Sequence, residues 1–398
     1  MGSDEADLAC EEQLLLGRKL RVPKPLVQAQ RDGRLAIFVG AGVSMGKPSN
    51  LPGLKALAES LAGRCDISED VQACGGRIDR FLGRLEDDHI PIRTRTRELL
   101  GRSDSHPTAL HRSLVSLFLT PTSLRIVTTN QDRHFSTAID ELGFASEVEV
   151  YRSPALPPGD SFSGLVYLHG TVDGRAEDLI LTDRDFAKAY MTSAFAARFL
   201  ERMFATYVVL FVGYSHEDLV MNYFSRGLSG RLPRYALTPE NEADKWIDLG
   251  ITAIPYAIGP GEDEHAELHS GIALWAEYSR ETPSQREEHI RAIVGFPIQG
   301  PQRGDPSISL HQSIDEASLS YIDWQLTDAT GTSIFCRHAD GPFWLGHVMK
   351  HPDFRALFTP PAELTYRHFC MAEWFAAHFV GAADGAAAGL GACVGSPG

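Results

Sequence analysis

The sequence lacks the cysteine patterns that hold metals or build disulfide frameworks. Its 6 cysteines are scattered along 398 residues, and no two of them form a Cys-x-x-Cys pair. This excludes zinc-ribbon and dithiol redox motifs. Isolated cysteines are typical of reduced thiols in a cytosol. We therefore expect a cytoplasmic protein without a bound metal.

Basic residues are outnumbered, and long apolar runs are missing. Asp and Glu number 52 against 37 Lys and Arg, a formal net charge of -15. Such a surface repels a phosphate backbone, so we expect no direct nucleic-acid binding. The most apolar internal run, Phe204–Tyr214, is too short to cross a bilayer. The first 20 residues also lack the basic-then-apolar layout of a signal peptide. We expect no membrane partner.

Short, nearly continuous apolar runs are present, and they predict strands buried on both faces. Runs of this kind are typical of parallel strands in an α/β protein, so we predict a Rossmann-like parallel sheet. Small or polar residues follow each of the first four runs, where an open parallel sheet binds its ligands. The six predicted strands are Leu35–Val39, Ser123–Thr128, Gly164–His169, Tyr207–Gly213, Arg234–Leu237 and Ile251–Tyr256.

The remaining segments predict the domain organisation. The stretch of about 54–120 has helical spacing and is too long for one crossover, which predicts an inserted helical subdomain within a main domain over 33–290. Its Arg93, Arg95 and Arg97 are interpreted as a solvated helix face. We predict a helical extension over 1–32, a Pro/Gly-rich linker over 297–309, a small helical domain over 310–380 and a disordered tail over 381–398.

The strongest motif is the glycine turn Gly40-Ala41-Gly42-Val43-Ser44, which follows the first predicted strand. Gly40 and Gly42 would let the backbone approach a pyrophosphate, and Ser44 could add a hydroxyl contact. The alternative is a turn that merely joins strand to helix. A dehydrogenase would need an acidic residue at the end of a second strand soon afterwards. Glu59 instead falls within a predicted helix, which argues against hydride transfer.

The second motif, Thr128-Thr129-Asn130-Gln131-Asp132, follows the second predicted strand. Asn130 and Asp132 could orient a ribose and hold a water through hydrogen bonds. The same residue types also form ordinary turns and helix N-caps.

The third motif is His169-Gly170 at the end of the third predicted strand. A histidine there would face a cleft, and its ordinary pKa of about 6.5 suits a general base. A structural histidine is the alternative.

The fourth motif, Gly213-Tyr214-Ser215, again follows a strand. It repeats the pattern of glycine and hydroxyl, although Ser215 could simply cap the next helix.

In order and spacing, these four motifs together resemble the sirtuin family over about residues 33–258. The resemblance implies that this domain binds NAD, that Asn130 and Asp132 lie beside the nicotinamide ribose, and that His169 is the catalytic base. It also implies that the first and fourth motifs line the rest of the cofactor. The cofactor-binding residues implied are Gly40, Ala41, Gly42, Ser44, Thr129, Gly213 and Ser215.

The sequence also departs from the protein deacetylases of that family. No cysteine lies between His169 and Gly213, where those enzymes carry a four-cysteine zinc module. The chain looks more like the zinc-free sirtuin-like domains of bacterial antiphage defence proteins, which hydrolyse NAD. This resemblance implies an NAD hydrolase that acts by NAD depletion, with NAD as substrate and no metal.

Two other functions remain open on the sequence. The chain could be a deacylase without the zinc module that uses NAD as co-substrate, or a non-catalytic sensor of NAD or ADP-ribose. An ungated NAD hydrolase would kill its host, so we expect control by a homo-oligomer, by a defence-system partner protein or by the C-terminal domain.

Overall fold

The computed structural model describes residues 13–16, 20–214, 232–247, 249–261, 263–295, 314–339, 344, 347–348 and 366–380. The chain divides into two compact units, residues 16–280 and residues 1–15 together with 281–398. The predicted linker over 297–309 and the predicted tail over 381–398 lie outside the described residues, as does Ser215.

The larger unit is built on a seven-stranded sheet in which every pairing is parallel. The strand order is β5-β6-β4-β3-β7-β8-β9, which confirms the predicted Rossmann-like α/β class. Two short strands, β1 and β2, come earlier in the chain. The strands are β1 Gln13–Leu16, β2 Leu20–Pro23, β3 Leu35–Val39, β4 Arg125–Thr128, β5 Val150–Arg152, β6 Gly164–Tyr167, β7 Val208–Val212, β8 Arg234–Pro239 and β9 Thr252–Tyr256.

The central strands are apolar because helices flank the sheet. Every residue of β3, β6 and β7 is buried. Phe38 on β3 packs edge-on against Phe211 on β7, with ring centroids 5.4 Å apart, and helix Phe195–Thr206 covers both. Burial of this apolar surface stabilises the sheet.

Helices occupy most of the remaining described residues. In the larger unit they are Lys24–Arg31, Leu54–Ala62, Ser68–Ala73, Ile78–Asp87, Ile92–Leu100, Ala109–Ser116, His134–Glu141, Asp183–Ala187, Phe195–Thr206, Ala243–Ile247 and Ala266–Arg280. In the smaller unit they are Pro283–Val294, Glu316–Gln325, Ala329–His338 and Tyr366–Phe375. None of the helices in the described ranges is long and apolar enough to span a bilayer.

The segment between β3 and β4 is helical, as predicted. Its four short helices over 54–100 bury a cluster of their own, in which Leu57, Leu61 and Phe81 pack together with Val172 and Leu181 from beyond β6. The inserted helices therefore rest on the chain that follows the predicted catalytic histidine.

The predicted solvated arginine face is confirmed for Arg95 and Arg97, which are exposed, but not for Arg93, which is half-buried; all three also bond to backbone oxygens. Arg93 donates to the Leu179 carbonyl oxygen at 2.6 Å, and Arg97 donates to the Val172 carbonyl oxygen at 3.0 Å. Arg95 donates to the Leu61 carbonyl oxygen at 3.0 Å. A guanidinium group carries several hydrogen-bond donors. Here these donors bond to backbone carbonyl oxygens in the last turn of a helix and in loops.

The prediction of a helical extension over 1–32 needs a correction. Among its described residues only Lys24–Arg31 is helical, and the segments Gln13–Leu16 and Leu20–Pro23 are strands. The first segment buries three successive leucines, and the second buries Leu20 and Val22 with the exposed Arg21 between them. Alternate burial of this kind is typical of a strand.

Candidate functional site

The four predicted motifs follow four neighbouring strands at one edge of the sheet. In the order β6-β4-β3-β7, these strands end next to His169, Thr129, Gly40 and Gly213. The Thr129 amide donates to the Val39 carbonyl oxygen at 3.2 Å, and the Leu168 amide donates to that of Thr128 at 2.8 Å. Parallel strands present their carboxyl ends together, so these residues share one site.

Glycines are required in the first and fourth motifs because the two turns pack backbone against backbone. The Gly42 amide donates to the Gly213 carbonyl oxygen at 2.9 Å, and the Gly40 amide donates to that of Val212 at 2.9 Å. A Cβ atom on Gly40 would lie 2.6 Å from the Gly213 oxygen. Gly213 itself has a φ of 69°, which favours glycine.

This packing changes the explanation for the glycines. The sequence suggested that Gly40 and Gly42 let the backbone approach a pyrophosphate, yet the amides of both glycines are bonded within the protein. Ala41 and Gly42 are nevertheless exposed on the outer side of a short 3-10 turn, Ala41–Ser44, while Val43 and Ser44 are buried. The turn therefore offers an accessible backbone surface rather than a ring of free donors.

Asn130 is buried with its amide in a fixed orientation. Its Nδ2 donates to the Gly40 carbonyl oxygen at 3.1 Å and to Ser44 Oγ at 3.3 Å. Its backbone amide donates to Thr128 Oγ1 at 3.0 Å. Among the described residues no group donates a hydrogen bond to Oδ1, whereas Nδ2 makes two. The side chain thus presents an acceptor, held in place by its own amino group.

Asp132 is anchored through both carboxylate oxygens. Oδ2 accepts from Ser44 Oγ at 2.8 Å, and Oδ1 accepts from the His134 backbone amide at 2.9 Å. The second contact satisfies the first amide of helix His134–Glu141, whose N-cap residue is Arg133. Asp132 therefore makes the turn contact that its residue type allowed, and its carboxylate is only 4% exposed.

His111 completes a buried network around Ser44. Its Nε2 lies 3.2 Å from Ser44 Oγ, and its Nδ1 accepts from the Thr108 backbone amide at 3.1 Å. Burial, then the neighbouring His134 and Arg112, lower the pKa of His111 well below its ordinary value. The ring is therefore neutral at physiological pH.

His169, in the third motif, is buried two residues after the end of β6, and its ring contacts aromatic side chains. Its Nε2 lies 2.7 Å from the Tyr190 hydroxyl, and its ring stands edge-on to Phe186 with centroids 5.2 Å apart. Its backbone oxygen accepts from Gln131 Nε2 at 3.2 Å, which ties it to the neighbouring motif. Burial lowers the pKa of His169 to about 3, so the imidazole is neutral with a lone pair available.

The segment after His169 is held by a carboxylate that the sequence did not single out. Asp185 Oδ2 accepts from the Thr182 amide at 3.0 Å and from Arg93 at 2.9 Å. Arg93 also binds Glu86 at 2.8 Å. The π-helical turn Lys188–Thr192, which carries Tyr190, follows directly. The inserted helices thus fix the chain that positions Tyr190 beside His169.

Thr129 bonds to a residue of the fourth motif. Its hydroxyl lies 2.7 Å from that of Tyr214, whose ring stacks on Phe38 at a centroid distance of 5.2 Å. The second and fourth motifs are therefore in contact, while the predicted Ser215 lies outside the described residues.

Sequence reasoning missed His111, Tyr190 and Tyr214 as members of this site. For His111 a signal existed, because Thr108 stands three residues earlier and forms a capping box with it. Tyr214 was visible as the middle residue of the fourth motif. Tyr190 had no comparable signal, since its place depends on a π-helical turn.

Across the described ranges, no group of three or more His, Cys, Asp or Glu side chains is arranged to hold a metal ion. The expectation of a metal-free protein remains a prediction.

Comparison with known proteins supports the sirtuin-like assignment. Residues 124–254 match the family model of the SIR2-like domain. The uncharacterized protein y4cA of Sinorhizobium fredii (strain NBRC 101917 / NGR234) is 26% identical over 308 residues, which are 69% of this chain and 25% of that protein. The chain thus spans about a quarter of the length of this curated relative.

The family match covers Asn130, Asp132, His169 and Gly213 but begins after the Gly40 turn. The structure joins that turn to the matched region, since Asn130 donates to the Gly40 carbonyl oxygen. SIR2-like domains use NAD, so the match indicates NAD-related chemistry for this domain.

Proposed function

We propose that this chain is an NAD hydrolase that binds NAD across the carboxyl ends of β6, β4, β3 and β7 and cleaves its nicotinamide–ribose bond with water. The observation that carries the proposal is the geometry of Asn130. Its amino group is held by Gly40 and Ser44, no group among the described residues donates to its Oδ1, and the buried His169 follows the adjacent strand.

The turn surfaces suit a dinucleotide. Ala41 and Gly42 are exposed beside Gly213, and side-chain atoms are excluded where the two turns meet. We assign the cofactor-binding role to Gly40, Ala41, Gly42, Gly213 and Thr129 on this basis. Ser44 is assigned a structural role, because its hydroxyl donates to the Asp132 carboxylate within the protein.

The chemistry requires little from an acid. Nicotinamide leaves NAD as a neutral molecule with the bonding electron pair, so its departure needs no proton. Positive charge moves to the ribose in an oxocarbenium-like transition state, as in other glycosidic cleavages. What the protein must supply is a placed water and an acceptor for the proton that this water loses.

Asn130 is suited to placing the water. Its Oδ1 can accept a hydrogen bond from a water or from a ribose hydroxyl, and its orientation cannot reverse without losing the contact to the Gly40 oxygen. Fixing the attacking group in this way lowers the entropic part of the barrier. We place Asp132 beside it, where its anchored carboxylate maintains the geometry on the ribose side.

His169 is proposed to take the proton. A pKa of about 3 makes it a weak base but keeps it wholly in the neutral form that can accept a proton. As the water bonds to the anomeric carbon its protons become far more acidic than an imidazolium, so a weak base is sufficient. The Tyr190 hydroxyl lies 2.7 Å from Nε2 and holds the ring in place.

The biological role we propose is antiphage defence by NAD depletion. It rests on the resemblance to zinc-free domains, supported by the absence of cysteine between His169 and Gly213. Such an activity needs control, which we assign to self-association or to a partner protein.

The test replaces Asn130 or His169 by Ala and measures nicotinamide release from NAD. We expect either change to lower turnover by about 100-fold or more, because each removes a group that acts in the transition state. Asn241→Ala and His269→Ala, at partly or fully exposed positions, are matched controls that should keep wild-type turnover. Full activity in both site variants, with unchanged circular dichroism, would overturn the assignment.

A further inference from the structure

We propose that His111 is a positioning residue of this site: it fixes Ser44, and through Ser44 it sets the places of Asn130 and Asp132. The inference rests on the proposed function for its catalytic consequence, but its structural part stands on hydrogen bonds alone. His111 is the third residue of helix Ala109–Ser116 and is 0% exposed. It is 67 residues from Ser44 along the chain.

The ring's tautomer follows from its partners. The Thr108 backbone amide can only donate, and it lies 3.1 Å from His111 Nδ1, so Nδ1 must accept. In a neutral ring the proton is then on Nε2, which donates to Ser44 Oγ across 3.2 Å. The ring is neutral because burial lowers the pKa of His111 well below its ordinary value.

The tautomer in turn sets the direction of the Ser44 hydroxyl. Ser44 Oγ accepts from His111 Nε2 and also from Asn130 Nδ2, at 3.3 Å. With both lone pairs occupied, its own proton points to Asp132 Oδ2, 2.8 Å away. A hydroxyl with two donors and one acceptor around it has no alternative arrangement.

The consequence for the site is positional. Without the His111 donor, the Ser44 hydroxyl can rotate, and the Asn130 amino group loses one of two fixed partners. Ser44 is 3% exposed, so an unsatisfied lone pair there is costly and favours rearrangement. We therefore expect His111 to affect the catalytic step more than NAD binding, since it does not line the exposed turn.

Two substitutions of His111 test the hydrogen bonds of its two ring nitrogens one at a time. His111→Asn keeps an oxygen near the position of Nδ1, which can accept from Thr108, but it does not reach Ser44. His111→Gln places an amino group near the position of Nε2, which restores the donor to Ser44. Both remove the ring that packs edge-on against Phe135 at 4.7 Å, so both lower stability.

We expect His111→Asn to lower kcat by about tenfold or more with little change in KM, and His111→Gln to stay within roughly threefold of wild type. In a Ser44→Ala background, His111→Asn should have no further effect on kcat, because the two side chains act as one unit. Equal activity in His111→Asn and His111→Gln, or activity that simply follows their melting temperatures, would overturn the positioning role.

A second measurement does not depend on NAD cleavage. Nitrogen-15 NMR of the histidine rings at neutral pH should show His111 with its proton on Nε2, and the Asn130 side-chain amide resonance should shift in His111→Asn but not in His111→Gln. A proton on Nδ1, or an unmoved Asn130 resonance, would overturn the proposal. Should the NMR results hold while nicotinamide release by the wild-type chain requires an acylated peptide, the proposed function fails and the hydrogen-bond network stands.

Discussion

At the scale of single residues, buried neutral histidines define the chemistry of this site. His111 and His169 are both buried beside the candidate substrate position, and burial is the main cause that lowers the pKa of each. Neither can act as a cation at physiological pH. The electrostatic contribution to the site therefore comes from Asp132 and from oriented dipoles such as the Asn130 amide.

These histidines make the stability of the fold dependent on pH. In the unfolded chain their pKa is about 6.5, whereas in the folded chain it is lower. Below pH 6.5 the unfolded state therefore binds more protons, and the free energy of unfolding falls as the pH is lowered. Each such histidine contributes a slope of at most about 1.4 kcal/mol per pH unit.

Urea unfolding at pH 7.5, 6.5 and 5.5 measures this slope, within a range where most carboxylates stay ionised. His169→Asn and His111→Gln should each reduce it, because each removes one group with a lowered pKa. A free energy of unfolding that is equal at pH 7.5 and 5.5 would contradict the buried, neutral state of both rings.

Residue identity at the site was only partly predictable from the sequence. Asn130, Asp132 and His169 could be predicted as site residues because they follow the ends of predicted strands. Those strands are recognisable in the sequence as short apolar runs. The partners Ser44–His111 and His169–Tyr190 join elements separated by 67 and 21 residues. Such contacts depend on helix placement, which local patterns do not specify.

At the scale of elements, two turns determine the shape of the site. The Gly40–Ser44 turn and the Gly213 turn follow the adjacent strands β3 and β7, and their backbones touch. The sequence predicted both turns, but it gave a ligand as the reason for their glycines. The structure gives a second reason, which is close packing between the turns themselves.

Gly213→Ala tests this packing. The added Cβ would lie 2.7 Å from the Val43 backbone nitrogen and would occupy a φ of 69°. We expect a loss of about 2–4 kcal/mol in the free energy of unfolding, from overpacking and from the left-handed backbone together. The measurement is urea unfolding followed by circular dichroism.

Gly63→Ala is the matched control for backbone conformation. Gly63 has a similar φ of 72°, and no atom lies within 4 Å of its added Cβ. We expect a smaller loss of about 1–2 kcal/mol there, from the left-handed backbone alone. Equal losses at Gly63 and Gly213 would show that the turns do not constrain one another.

Most of the sheet was predictable because buried parallel strands are apolar on both faces. β3 matches its predicted bounds, Leu35–Val39, and β4, β6 and β7 begin or end within two residues of theirs. β5 was missed. Its three residues, Val150–Arg152, are half-buried or exposed at the edge of the sheet, so their sequence has no buried-strand pattern.

At the scale of the whole molecule, the inserted helices and the seven-stranded sheet belong to one compact unit, residues 16–280. Arg93 and Arg97 bond helix Ile92–Leu100 to carbonyl oxygens of the loops after β6. Arg93 also bonds to Asp185, which lies five residues before Tyr190 in the chain. Movement of the inserted helices would therefore reach His169 through Tyr190. This connection gives a physical route by which a partner or a second copy of the chain could control the proposed activity.

The proposed hydrolase and a zinc-free deacylase differ in what they need besides NAD. A deacylase transfers ADP-ribose to an acyl group, so its nicotinamide release requires an acylated peptide. A hydrolase uses water and releases ADP-ribose without any peptide. A sensor would gain thermal stability from NAD without turnover.

The most direct test is nicotinamide release from NAD by the purified chain, with and without an acetyl-lysine peptide, with the product identified by chromatography. The account predicts nicotinamide and ADP-ribose without peptide, at a rate that the peptide does not change. Release that requires the peptide, with the acyl group transferred to ADP-ribose, would contradict it.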